Sequence, residues 1–314
     1  MDIVYFIMQQ TMFFAIPLLI VAIGGMYSER SGVINIALEG IMVIGAFFGI
    51  LFINMAQGSM SGQGLLLLAV VIAGVTGGIF SLLHAFASIN MKADQTISGT
   101  ALNLFAPAFA SFTARMIQGV QQIQFTDTFH IDKVPVLGDI PVIGDMFFQN
   151  CYITTYIGIG IFLVAAYVIK NTRFGLRPRA CGEHPGAADS VGVNVAKIRY
   201  AGVIISGVLA GIGGLIFVIP TSTNFNASVA GYGFLAIAVL IFGQWRSNMA
   251  AFFFGIMKTL ASAYSAIPFL KSLPIPNELY KMIPYIATLI VLAFSSKNSQ
   301  APRAEGIPYD KGSR

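Results

Sequence analysis

Four polar side chains, Asn35, Glu39, Asn103 and Lys258, stand inside stretches that otherwise contain almost no charge. An ionisable group at membrane depth is costly, so it faces a partner or a polar route rather than lipid. Glu39 follows Asn35 by four residues, which places both on one face of a helix. Gly32 and Gly40 flank them, a pattern at which a spanning helix breaks and turns backbone groups toward a cavity. Two readings stand side by side. Either Glu39 and Lys258 neutralise each other as an intramembrane charge pair, or Asn35 and Glu39 line a pathway for a polar molecule. Asn103 and Phe105 add an amide and a ring, although among 26 phenylalanines a single ring is ordinarily packing. His84 reads as a hydrogen-bonded packing residue, Trp245 with Arg246 as an interfacial anchor, and Asn224 and Asn226 as a solvated loop or an external mouth.

A second constellation lies in Thr172–Val193. Pro185 suits the first position of a helix and Gly192 the residue just past its end. About two turns lie between them, with the small residues Ala187 and Ala188 adjacent. A short helix of this kind, lying parallel to a membrane among arginines, suits a groove on another protein or an anionic surface; the plain alternative is a basic loop that only sets topology. On the docking reading, Ala188→Asp is expected to leave folding intact and to abolish the function of the contact.

These residues must be positioned by a chain of 314 residues that is 56% apolar and only 10% charged. Soluble domains carry about 25% charged residues, so a soluble enzyme, a nucleic-acid-binding module and a disordered chain are excluded together. Continuous rather than alternating apolar runs predict an all-α polytopic membrane protein instead of a barrel. Charge-poor windows near 3–27, 33–56, 65–90, 97–116, 151–169, 201–220, 226–244, 248–266 and 282–294 predict about nine transmembrane helices (eight to ten). The second is expected to be broken, and the seventh re-entrant at Gly231 and Gly233. Residues 170–200 and the tail are rich in Lys and Arg, whereas 118–150 holds Lys133 against Asp127, Asp132, Asp139 and Asp145. The positive-inside rule therefore makes 118–150 an external loop and 170–200 and 295–314 cytoplasmic, the last a polar and mobile tail beyond a membrane domain spanning 1–294. Lys271 and Lys281 are the weak point of that orientation. Cys151 and Cys181 fall on opposite sides and cannot pair. Gly45/Gly49, Gly74/Gly78 and Gly207/Gly211/Gly214 are small-residue stripes of the kind that let helices pack in lipid.

Gly186-Ala187-Ala188-xxx-Gly192 resembles the Glu-Ala-Ala-xxx-Gly coupling motif of ATP-binding-cassette importer permeases, with Gly186 in place of the glutamate. Arg179-Ala180-Cys181-Gly182-Glu183-His184-Pro185 resembles the branch of the branched-chain amino acid, simple sugar and nucleoside permeases. Glu29–Gly40, Ser98-Gly99 with Asn103-Leu104, Gly231–Ala238 and Met282-Ile283-Pro284-Tyr285 match it in order. The Glu29-Arg30-x-Gly32-x-x-Asn35 phrase is similar to permeases of nucleoside importers fed by basic-membrane-protein-type lipoproteins. The resemblance implies a multi-pass permease subunit of the cell membrane, not itself an enzyme. It would pair with a second related permease as a heterodimer, with cytoplasmic ATPase subunits and with an external substrate-binding lipoprotein. Gly182, Glu183, Pro185, Ala187, Ala188 and Gly192 would couple it to the ATPase; Asn35, Glu39, Asn103 and Phe105 would line the substrate pathway, touching a sugar hydroxyl or a base. No cofactor or metal is expected on this chain, and ATP with Mg would be used by the partner. In keeping, the sequence has no Gly-x-x-x-x-Gly-Lys-Ser/Thr phosphate loop, and Gly-Lys never occurs. Two alternatives remain open at this point: the same machine for ribose or galactose, and an ion-coupled secondary transporter using Glu39 and Lys258.

Overall fold

A computed structural model describes residues 2–126, 129–245, 250–263, 276–295 and 300–312. Asp127, Arg246, Lys271 and Lys297 lie outside the described residues, as does the side chain of Lys281. The order is α1 (Asp2–Glu29), α2 (Leu38–Ala56), α3 (Gln63–Ala85) continued by a π-turn (Phe86–Asn90), and α4 (Gln95–Gln118). After β1 (Ile123–Gln124), β2 (His130–Lys133) and β3 (Gln149–Tyr152) come α5 (Ile153–Asn171), α6 (Arg173–Glu183), α7 (Pro185–Ser190) and α8 (Val195–Thr221). β4 (Asn224–Phe225), α9 (Tyr232–Phe242), α10 (Ala250–Ala263) and α11 (Asn277–Ser295) complete it.

Among the described residues, five helices are long and apolar enough to cross a membrane: Ile3–Glu29, Leu38–Ala56, Gln63–Asn90, Ile153–Asn171 and Val195–Thr221. The protein is a multi-pass α-helical membrane protein, but the expectation of about nine equivalent spans is not met. The window at 97–116 becomes α4, long enough but studded with Gln95, Thr96, Ser98, Thr100 and Asn103. The window at 226–244 becomes an irregular lead-in and only the eleven residues of α9, and that at 248–266 a 14-residue helix, α10.

α1, α2 and α8 are buried on nearly every side and form the centre, as expected of helices apolar all round. α3 is two-faced. Leu67, Val71, Val75 and Ile79 are exposed at spacings of four, while Ala69, Ala73, Ser81 and His84 are buried. A stripe of that kind is lipid contact when the solvent is a bilayer. The small-residue stripes meet one another across the centre. A Cβ on Gly211 would overlap the Ala73 carbonyl, one on Gly214 the Met42 carbonyl, and one on Gly45 the Gly211 backbone. Three helices thus approach to backbone contact, which maximises dispersion where lipid offers no hydrophobic drive.

The hairpin region and the elbow lie at opposite ends of the bundle. At one end, β1 pairs with β4 and β2 with β3, both antiparallel. Gln9 donates to the Asp145 carbonyl (2.6 Å) and Asn54 to that of Gln124 (2.6 Å), fastening the 118–152 region to α1 and α2. At the other end lie residues 30–37, the 91–94 turn, α6, α7 and the tail. Cys151 and Cys181 sit at opposite ends, both as free thiols. The described part of the tail, residues 300–312, packs on the bundle, with Pro302 and Ala304 buried, where a loose segment is expected.

Candidate functional site

Residues 30–37 are unwound between α1 and α2, with Gly32 in the left-handed region at φ +94°, a conformation that glycine adopts at little cost. The break enters the bundle interior. Asn35 donates through Nδ2 to Ser206 Oγ (2.8 Å), and Ser206 is eleven residues, about 16 Å, into α8. Backbone groups freed at such depth must find partners inside the protein. They find Gln95, His84 and Asn103 from α3 and α4, with Ser98 holding the His84 ring. Gln95 accepts from Ile34 N (2.7 Å), His84 Nε2 meets the Ile34 carbonyl (2.8 Å), and Ser98 meets His84 Nδ1 (3.1 Å). Asn103 donates to the Ile36 carbonyl (2.8 Å) and accepts from Gly40 N (2.8 Å), bridging the break to the first turn of α2. Of the polar residues that make α4 a poor apolar span, Gln95 and Asn103 directly, and Ser98 through His84, are therefore staples for the broken one.

A second irregular stretch, leading into α9, faces the first. Ala230 and Gly231 have φ of +52° and +76°, and α9 starts at Tyr232. Glu39 accepts from Gly231 N (2.9 Å) and Gly233 N (2.6 Å). A carboxylate on the free N–H groups of a helix start is favourable in charge and hydrogen bonding. Tyr285 donates to the Ala230 carbonyl (3.1 Å). The Lys258 ammonium lies 5.5 Å from the Tyr232 ring centroid, so acid and amine flank the same turn of α9. Asn35, Glu39 and Asn103 thus gather at the break. Phe105 stands apart, half exposed and stacked on Phe80 and Phe109 at 6.2 and 5.7 Å, beside an apolar hollow of about 420 Å³. Asn224 and Asn226 are exposed at the far end.

The elbow is built as its sequence suggests. Thr172 caps α6, and His184 caps α7 by accepting from Ala187 N (3.2 Å). Pro185 opens α7, and Gly192 leaves it at φ +85°. The two alanines part company: Ala187 is exposed, whereas Ala188 is 4% exposed and packs with Cys181 and Val195. Burial pushes the Cys181 thiol up against the opposing pull of Arg199, so it packs as a neutral group. Ala188→Asp would bury a carboxylate in this cluster and so, against expectation, would not leave folding intact; the exposed positions include Glu183, Ala187 and Val191. Gly182 lies under the elbow, where a Cβ would overlap the Arg30 carbonyl. Elbow and break are direct neighbours.

Trp245 also corrects an expectation. It is 7% exposed, not an interfacial anchor; its indole donates to Glu29, and Arg30 donates to its carbonyl (2.7 Å).

Residues 7–292 match the family described as branched-chain amino acid transport system / permease component. The chain is 42% identical to the guanosine ABC transporter permease protein NupQ of Bacillus subtilis over 98% of this chain and 97% of that one. It is 40% identical to the nucleoside ABC transporter permease protein NupC of Lactococcus lactis, over 97% and 96%. It is 28% identical to the putative glucose ABC transporter permease protein TsgC13 of Haloferax volcanii, over 92% and 91%. No solved structure matches.

Proposed function

Because the chain belongs to the branched-chain amino acid transport system / permease component family, we propose that it is one membrane half of an ATP-driven importer for nucleosides. The observation that carries this is the elbow: a short, capped helix with small outward residues, resting through Gly182 on the turn where the second span breaks. A push on that helix reaches the break without crossing a flexible linker. The cargo is supported by NupQ and NupC, alike along nearly the full chain and both named for nucleosides.

The chain does no covalent chemistry. Cytoplasmic ATPase subunits would dock on Glu183, Ala187 and the α7 surface, with Gly182, Pro185, Ala188 and Gly192 shaping the elbow. ATP and Mg would be used there. A second, related permease would complete the conduit, and an external lipoprotein would deliver cargo at the 118–152 end. Alternating access needs an element with two arrangements; the break at 30–37 and the short α9, joined through Glu39, supply it. Asn35, Glu39 and Asn103, at the break, would line the pathway, Phe105 would contribute only from the apolar hollow apart from them, and Glu39 and Lys258 would act as charge partners about α9.

A glucose reading is supported by the likeness to TsgC13 and, at 23% identity, to the glucose ABC transporter permease protein TsgB13 of the same organism. Vesicles holding the complete complex should take up labelled guanosine only with ATP inside the ATPase-facing compartment, and unlabelled inosine should compete where ribose and glucose do not. Competition by glucose alone would move the cargo to sugars. Gradient-driven uptake by this chain without ATPase subunits would overturn the importer reading.

A further inference from the structure

The tail crosses the end of the bundle where elbow and break meet, and it is tied to both by backbone. Ala304 N donates to the Gly182 carbonyl (2.8 Å) at the end of α6, and Gly306 N to the Gly32 carbonyl (3.3 Å) in the break. From α8, Arg199 Nη1 donates to the Ile307 carbonyl (2.9 Å), its side chain 2% exposed and pressed against Gly32, where a Cβ would come within 2.8 Å of Nη2. Tyr309 packs on the Cys181–Ala188–Val195 cluster beneath α7. The Glu305 carboxyl lies beside that of Glu29 at the end of α1, close enough for the two groups to interact. At the rim, Lys92 pairs with Asp310 (2.9 Å) and Lys311 with Asp189 of α7 (3.6 Å). Exposed pairs of this kind are worth little, so the backbone ties and the buried arginine carry the attachment.

We propose that residues 301–310 are a transmission strap that carries movement of the α6–α7 elbow to the α1–α2 break. The strap holds Gly182 and Gly32 in register through two backbone hydrogen bonds two residues apart in one segment. A displacement of the elbow therefore moves the break even where their direct contact at Arg30 would let them slide. The strap is also anchored on two further elements, α1 through Glu29 and α8 through Arg199, so it resists rotation as well as separation. This rests on the reading of the elbow as the ATPase-docking element, and its test separates the two.

The test compares the full chain, a chain ending at Gln300, and Gly306→Val, each assembled with its ATPase, partner permease and binding protein. Gly306→Val keeps the chain length but places a side chain where φ is +77° and a Cβ would come within 2.8 Å of Ile34. Hydrogen exchange should quicken together at 182–192 and 30–38 by about tenfold or more, with the α8 centre unchanged as a fold control. ATP hydrolysis should persist while nucleoside carried per ATP falls about tenfold. Faster exchange at the elbow alone, or transport per ATP within about twofold of the full chain in both variants, would overturn the strap. If the full-length complex moves no nucleoside, the importer reading fails, and the exchange pattern still decides whether elbow and break are linked.

Discussion

Asn103→Ala separates a structural staple from a ligand contact. The wild-type amide serves two backbone groups, the Ile36 carbonyl and Gly40 N, each at 2.8 Å. Gly40 is buried, and its backbone sits so close to α4 that a Cβ there would come within 2.7 Å of the Leu102 carbonyl. Abandoning a buried hydrogen-bonding group costs about 1–3 kcal/mol, so two abandoned partners cost about 2–6 kcal/mol. Asn103 is half-buried rather than sealed, which places the expected loss in the lower half of that range. The assay is equilibrium unfolding of the purified chain in detergent, with hydrogen exchange read over residues 34–41. Asn103→Asp keeps an acceptor for Gly40 N and loses the donor to Ile36, so its exchange pattern should open on the Ile36 side first. A residue that only touched cargo would behave otherwise, leaving unfolding unchanged and weakening uptake. A loss under about 0.5 kcal/mol for Asn103→Ala, with exchange at 34–41 unaltered, would refute the staple.

Ala187→Asp and Ala188→Asp should diverge: the first, exposed, leaves the melting profile in place and removes ATP-coupled uptake, whereas the second, 4% exposed, lowers stability by several kcal/mol or blocks assembly. A fully active Ala187→Asp complex would remove the docking face from α7. Gly45→Val must part α2 from α8 at Gly211 and should cost about 1–3 kcal/mol or more in unfolding; an unchanged unfolding midpoint would contradict the close approach. Burial, then the Glu29 charge, push the Glu305 carboxyl up to about 9, against 4.5 for an ordinary glutamate. The docked tail holds a proton that a released tail gives up. Its attachment is therefore complete below about pH 4.5 and weakens as pH rises toward about 9. Protease cleavage near 301–312 should quicken over that window, and Glu305→Gln should flatten the dependence.

Much of this was legible in residue types. Gly32 and Gly40 marked a broken second span, Gly231 and Gly233 an interrupted seventh, and Pro185 with Gly192 the bounds of a short helix; each signal is local, set by backbone preference within a few residues. The span count was not, because a hydropathy window adds up apolar content and is blind to what a polar side chain does. Gln95, Ser98 and Asn103 look like flaws in a span until the break they repair is seen beside them. The separation of Ala187 from Ala188 depends on the rotation of a six-residue helix against Cys181 and Val195, which no periodicity over so short a segment can fix. The tail reads as polar and loose because its ties to the elbow and the break run through its backbone, at Ala304, Gly306 and Ile307, and these leave no trace in its side-chain composition.

Glu39 shows why the candidate site is one device rather than two irregular stretches. Its neighbours in sequence identify it only as an acid in an apolar helix, and the nearest reasoning pairs it with a base. In the structure its two oxygens are taken by Gly231 N and Gly233 N, nearly two hundred residues away. α2 leaves its break with Glu39 in the first turn, and α9 leaves its own irregular stretch with those two amides at its start. Neither helix start has a full set of partners within its own segment, and each meets part of the other's need. The two starts must then move together, since parting them would strip a carboxylate and two amides of their partners at membrane depth, where each costs several kcal/mol. Movement delivered to the break at 30–37 is thereby delivered to α9. Glu39→Gln, which can satisfy only one of the two amides as acceptor, should loosen that tie and raise exchange at 231–235 without disturbing the elbow. Unchanged exchange there would mean that the two helix starts are held by packing alone.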